Sequence, residues 1–254
     1  WFDSWLDEIP ENYRYQFCKY YLHKAKERGK ETVIVRKEED LPFSVSVENL
    51  ENSRKSDLHP LTWETDETIS YGSWSYTTDL KIKTSKHLIH ELIDIVSKNG
   101  VLLLNISPRA SGEIPADQQN VLLEIGTWLK QNGEAIYDTR TWYTYGEGPT
   151  KEPEGNINNR KLFDALQYTS EDYRFTKKGN TIYILSMGKP IVGSTILVNA
   201  FAVTKMSNGK KVKRVSMLGS NKKVDWAMET IGLKLSVPEV PNEISVCLLY
   251  TSPS

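Results

Sequence analysis

Two rhythms of apolar and polar positions divide the chain near Gly146. In the first, Tyr13, Phe17, Tyr20, Tyr21 and Leu22 recur near helical spacing between Asn12 and Arg28, and Gly29 stops that helix. Glu31 to Val35 follows as a β-branched candidate strand. Leu88, Leu92, Ile95 and Val96 then make the apolar face of a helix ended by Asn99-Gly100. Val101 to Ile106 is a continuous apolar run, the pattern of a parallel strand covered on both faces. Pro115 opens a further helix with Leu122, Ile125, Trp128 and Leu129 on one side, and Asn132-Gly133 closes it. Strand, helix, strand, helix with short connections predicts a parallel α/β unit. Trp1-Phe2-Asp3 reads as the end of a strand whose start is missing, because the chain opens at Trp1 without an initiator Met and looks cut from something longer.

Beyond Gly146 the helical spacing disappears. The polar stretch to Arg160 shows no periodic apolar pattern and reads as a linker or surface loop. Short candidate strands follow at Tyr173–Thr176, Thr181–Ser186, Thr195–Val198, Val212–Met217 and Leu233–Val237. Lys178-Gly179-Asn180 and Ser207-Asn208-Gly209 supply hairpin-like turns between them. This half predicts a small antiparallel β domain, a sandwich. Pro241 to Val246 reads as a turn entering a last strand, whereas Cys247 to Ser254 breaks the alternation and is set aside as a non-native tail.

Composition narrows the function classes. Lys+Arg 32 against Asp+Glu 33 leaves a formal net charge of -1, which gives no ground for a nucleic-acid or anionic-membrane partner. Neither Cys18 nor Cys247 belongs to a disulfide framework or to a metal-ligand spacing. No apolar run approaches the roughly 20 residues of a membrane span. Trp 7 and Tyr 13 supply flat amphipathic rings of the kind that line sugar pockets as well as cores.

Three stretches could carry chemistry. Asp3, at a strand's C-terminal end, would point into the mouth of a barrel, or simply cap the next turn. Trp63-Glu64-Thr65-Asp66 with Ser73-Trp74-Ser75-Tyr76 crowds two acids with aromatics in what reads as a loop. Glu48 and Glu51 lie in a polar stretch that spacing alone assigns to solvated surface.

The run from Trp63 to Tyr76, the run Asp94 to Ile106, and Asn132 to Trp142 continuing to Gly146-Glu147-Gly148-Pro149-Thr150 resemble the retaining α-L-fucosidase family, in the family's order, over about residues 1–150. That resemblance implies an α/β fold: the second half of a (β/α)8 TIM-type barrel over residues 1–145, a linker over 146–170 and a small antiparallel β-sandwich over 171–246, with 247–254 as the tail. It implies a two-step glycoside hydrolase releasing α-linked L-fucose, with Asp3 of the W-x-D motif as nucleophile and Trp1 and Trp74 against the sugar. Ser75 stands where the family's S-W-G-Y motif has Gly, and Arg36-Lys37 stands where many members carry Asn-Asp-Arg-Trp. The general acid/base is placed at Glu51, twelve residues before Trp63, with Glu48 and Glu64 as alternatives. No metal or organic cofactor is implied, the partners are fucosylated oligosaccharides or glycoconjugates, and a secreted, periplasmic or lysosomal setting is expected. The residues alone also admit a non-catalytic carbohydrate-binding scaffold, or a retaining barrel glycosidase of other sugar specificity. Half a barrel would leave strand edges unpaired, so this stretch alone is expected to be inactive.

Overall fold

The computed structural model describes residues 9–37, 41–153, 160–205, 212–238 and 247–251. Trp1, Phe2, Asp3, the Ser207-Asn208-Gly209 turn and residues 241–246 lie outside them. The N-terminal half is built on a four-stranded parallel sheet of β1 (Val35–Lys37), β2 (Val47–Asn49), β3 (Trp63–Thr68) and β4 (Gly100–Asn105), in that order across the sheet. Helix α1 (Glu11–Glu27) precedes β1, α2 (Ser85–Ser97) links β3 to β4, and α3 (Ala116–Asn132) follows β4.

Local chemistry explains the boundaries. Gly29 takes a left-handed φ of 59° just past α1. The Thr84 hydroxyl accepts from the His87 N–H and caps α2. Asn99 at φ 73° turns the chain into β4. There Gly100 is required by packing, because a Cβ would come within 2.5 Å of the Trp63 ring. That indole is fully buried and donates its N–H to the Lys98 carbonyl at 3.0 Å, tying β3 to the end of α2.

Three expectations are corrected here. Residues 63–68 form a strand rather than a loop. The sequence WETDET carries no apolar rhythm because its acids are held by Lys37 and Lys83 and need no water. Helix α1 buries Cys18 and Ala25, with Tyr21 packed beside them, whereas Tyr13 and Tyr20 are exposed. Its inward stripe thus follows the i, i+3, i+7 positions that start at Cys18. Strand β4 is covered on one face only: Val101 and Leu103 remain 49% and 46% exposed.

The C-terminal half holds two antiparallel sheets. The larger has the order β5 (Gly146–Glu147), β6 (Tyr173–Lys178), β7 (Thr181–Ser186), β12 (Cys247–Thr251), β9 (Arg214–Met217). The smaller runs β10 (Trp226–Glu229), β11 (Gly232–Ser236), β8 (Thr195–Val198). Tyr173, Phe175, Ile182 and Ile184 of the larger sheet share one core with Val198, Leu233 and Leu235 of the smaller. The other face of β7 lies on the helices, where Tyr183 and Leu185 pack with Ile89, Ile93 and Trp128. Two covered faces explain why Thr181 to Ser186 is apolar nearly throughout. Residues 247–251, set aside as a tail, run as a strand hydrogen-bonded between β7 and β9. The stretch after Gly146 is also more structured than a linker: β5 pairs with β6, Glu152 is buried in an ion-pair network, and α4 (Arg160–Asp164) buries Phe163.

Candidate active site

Side chains alternate across a strand, so the register sorts the acids of the parallel sheet by face. Lys37, Asn49 and Glu64 are neighbours in one row, and Asp66 lies two residues further along β3 on the same face, opposite Leu103 of β4. Arg36, Glu48 and Trp63 form the neighbouring row and face the other way. Beyond β2 the chain keeps tracking β3: the Leu50 N–H donates to the Glu64 carbonyl and the Asn52 N–H to the Asp66 carbonyl, both at 2.9 Å. Asn52 is left-handed at φ 51°, a conformation Asn tolerates, and it bends the chain just after Glu51.

Glu51 thereby comes to the C-terminal end of the sheet, where its carboxylate pairs with the Lys37 ammonium. The same ammonium lies 3.7 Å from Asp66 Oδ2. Asn49 organises the group from beneath: its Oδ1 accepts the Glu51 N–H at 3.0 Å, and its Nδ2 donates to Glu64 Oε1 at 3.2 Å. Burial raises the Asp66 carboxyl above its ordinary range, with Lys37 opposing the rise. Burial likewise raises Glu64, opposed by the Asn49 hydrogen bond. Three carboxyl groups, one ammonium and one amide thus meet on one face of the parallel sheet, past the ends of β1 and β2.

Each expected residue has a definite place. Glu51 is in the group, and Glu64 adjoins it. Glu48 is on the opposite face, ion-paired to Lys55 at 2.9 Å. Trp74 is half-buried at the end of β4, where its carbonyl accepts from Asn105 Nδ2 at 2.9 Å and Ser107 Oγ at 3.0 Å. Gln118 of α3 fixes Ser107 in turn through two 2.9 Å backbone hydrogen bonds. Trp1 and Asp3 lie outside the described residues. Sequence reasoning missed Lys37 and assigned Asp66 no role. The available signal was the parallel register, which needs β2 and β3 to be recognised as strands.

Behind the sheet, Asp94 of α2 is fully buried and takes Lys98 Nζ at 2.8 Å and Arg174 Nε at 2.6 Å. Arg54, three residues after Glu51, lies 3.7 Å from Asp94 and covers the Phe163 ring at 4.7 Å. Burial opposes ionisation of Asp94, but Lys98, Arg174 and Arg54 hold it well below the usual carboxylate range. A second group could ligate a metal by geometry: atoms of His87, Glu91 and Asp164 lie within 4.8 Å of one another. Lys83 already occupies it, with Nζ 3.0 Å from Asp164, 3.3 Å from Glu91 and 3.0 Å from Glu67. Burial lowers His87, but the Asp164 and Glu91 carboxylates, 3.5 Å and 3.2 Å from its Nε2, raise it to about 9, which favours a protonated imidazole at neutral pH.

The family model described as Alpha-L-fucosidase matches residues 1–134, more than half of the chain. The chain belongs to the alpha-L-fucosidase family. Human plasma alpha-L-fucosidase is 29% identical over 187 residues, which are 72% of this chain and 35% of that protein. Bovine tissue alpha-L-fucosidase is 30% identical over 184 residues, 70% of this chain and 33% of that protein. This family member thus spans about a third of the length of the curated relatives it matches. A solved alpha-L-fucosidase superposes with a TM-score of 0.71 at 24% identity, covering 95% of this chain and 49% of that one. The Thermotoga maritima alpha-fucosidase in complex with fucose gives 0.68 at 23% identity over the same shares. At such identities the likeness speaks for the fold, in both halves of the chain.

Proposed function

We propose that this chain is part of a retaining exo-glycosidase that releases α-linked L-fucose from oligosaccharides or glycoconjugates. Residues 1–145 would supply the second half of a (β/α)8 barrel, and the antiparallel sheets between Gly146 and Thr251 a β-sandwich packed beside it. The observation that carries the reading is the placement of Glu51, in a chain of this family, at the C-terminal end of parallel strands. Barrel enzymes keep their chemistry at that end.

In the proposed mechanism Asp3 attacks the anomeric carbon while Glu51 gives its proton to the departing glycosidic oxygen. A glycosyl ester on Asp3 results. Water then attacks that carbon, its proton passes to Glu51, and Asp3 leaves as the carboxylate. Retention requires the two carboxyl groups to lie about 5–5.5 Å apart. Trp1 and Trp74 would pack on the sugar ring. A general acid must hold a proton at working pH, and burial raises the Glu64 carboxyl in that direction, so Glu64 remains the competitor for the acid/base role.

Leaving-group dependence in the full-length enzyme decides among them. Glu51→Ala should slow natural fucosides about 100-fold or more, because their poor leaving groups need the proton. Aryl fucosides with activated leaving groups should lose far less, and azide should rescue the second step. Asp3→Gly should lose nearly all turnover until azide is added. Equal losses on both substrate types in Glu51→Ala would move the role to Glu64, and near-normal activity in Asp3→Gly would remove the nucleophile from the scheme.

A further inference from the structure

We infer that Lys37 and Asp66 are positioning residues that set the charge of Glu51 through the two halves of the reaction, with Asp66 competing for the ammonium that Glu51 uses. The inference rests on the reading of Glu51 as acid/base and deepens it.

A group that serves both steps has to keep a proton in the first and be an anion in the second. The Lys37 ammonium stands against the Glu51 carboxylate, a partner for the anion of the second step and none for the acid of the first. Asp66 supplies the counterweight. Its Oδ2 is 3.7 Å from the same Nζ, on the same face of the sheet. With Lys37 drawn toward Asp66, Glu51 can retain its proton for the leaving oxygen. Once that proton has gone, Lys37 against Glu51 steadies the carboxylate until water returns one. Lys37 keeps its own protons throughout, so the proton count closes on Glu51, the leaving group and water.

The surrounding charges fit this division. From β1 only Lys37 faces the group, because Arg36 points to the opposite face and lies over Phe43. From β2 the neighbour is Asn49, neutral and engaged with Glu64 and the Glu51 N–H. From β3 come Glu64 and Asp66, and burial raises the carboxyl of each. Asp3 would add a further negative charge on the reading above. Among the described residues one cation stands between these carboxyls as a contested resource, and replacing either competitor has a sign that can be read out.

The test is the pH dependence of kcat/KM on a natural α-L-fucoside, whose poor leaving group needs the proton from Glu51, in the full-length enzyme. Lys37→Met removes the charge that favours the Glu51 anion, so the alkaline limb should move to higher pH by about 1 unit. Asp66→Asn leaves the ammonium to Glu51 and removes a like charge, so the same limb should move to lower pH, by about half a unit or more. Lys37→Arg should return the limb close to its original position. Lys37→Gln, which keeps a donor without the charge, should move it as Lys37→Met does, and serves if the Met variant folds poorly. Residues that only held the fold together would lower activity across the profile and leave the limb in place. Unmoved limbs, or limbs moving the same way in Lys37→Met and Asp66→Asn, overturn the inference. If Glu51→Ala still shows azide rescue in that case, the acid/base reading stands and only the roles of Lys37 and Asp66 fall. If Glu51→Ala shows no rescue, both fall together.

Discussion

Single residues settle how the α/β half meets the antiparallel half. Asp94 sits where α2, the loop after β2 and β6 converge, and binds Lys98, Arg174 and Arg54 at once. Arg174 also reaches Glu152 at 2.6 Å, and Lys98 reaches it at 3.1 Å, so two acids serve three buried cations. Removing one partner from such a cluster leaves uncompensated charge in a dry interior, which typically costs about 3–5 kcal/mol. Asp94→Ala in the full-length protein should therefore lower the unfolding free energy by about that amount in urea titrations, with Asp94→Asn intermediate. A loss under about 1 kcal/mol would mean that water reaches the cluster and screens it. None of this was legible beforehand. Asp94 and Lys98 are visible as an i, i+4 pair on a helix, but Arg174 is 80 residues away and alternates with apolar neighbours as an ordinary outward-facing strand residue would.

At the scale of elements, the sequence was readable wherever side-chain polarity matched burial. Helices α2 and α3 fall where their apolar stripes and their Asn-Gly ends put them. The β6–β7 hairpin turns at Gly179, φ 57°, as its Lys-Gly-Asn signal requires. Where buried polar groups satisfy one another, the pattern failed. Strand β3 went unread because Glu67 meets Lys83 on one face while Asp66 meets Lys37 on the other, and neither leaves an apolar trace. Strand β2 is three residues long and too short to show a period. The ion pairs that hid β3 also make its surroundings respond to pH. His87, raised to about 9 in the folded protein, contributes stability that is complete below its ordinary value near 6.5 and lost as pH climbs through about 9. Glu91 and Asp164, each held down at about 2 by their partners, contribute stability above the ordinary carboxylate range that is lost as pH falls through about 2. Denaturant titrations of the full-length protein at pH 6 and pH 9.5 should show a drop, and His87→Gln should flatten most of it. An equal drop in the variant would place the titrating group elsewhere.

Across the whole molecule, the division into an α/β half and an antiparallel half was legible from the change of period near Gly146, and the family resemblance was carried by the runs around Trp63, Asn105 and Trp142. How tightly the halves join was not legible, because β7 uses one face for each: Ile182 and Ile184 for the core between the sheets, Tyr183 and Leu185 for the helices. The exposed Val101 and Leu103 mark the sheet face that carries Lys37, Glu64 and Asp66 as apolar further along, in keeping with a barrel interior in the proposed enzyme. The central claim is that this face performs retaining hydrolysis of α-L-fucosides. Proton NMR of the full-length enzyme acting on an aryl α-L-fucoside, recorded before the free sugar mutarotates, tests substrate and stereochemistry together. The account predicts that α-L-fucose appears first and the β anomer only later, as the sugar equilibrates. First appearance of β-L-fucose, or no release of fucose at all, would contradict it.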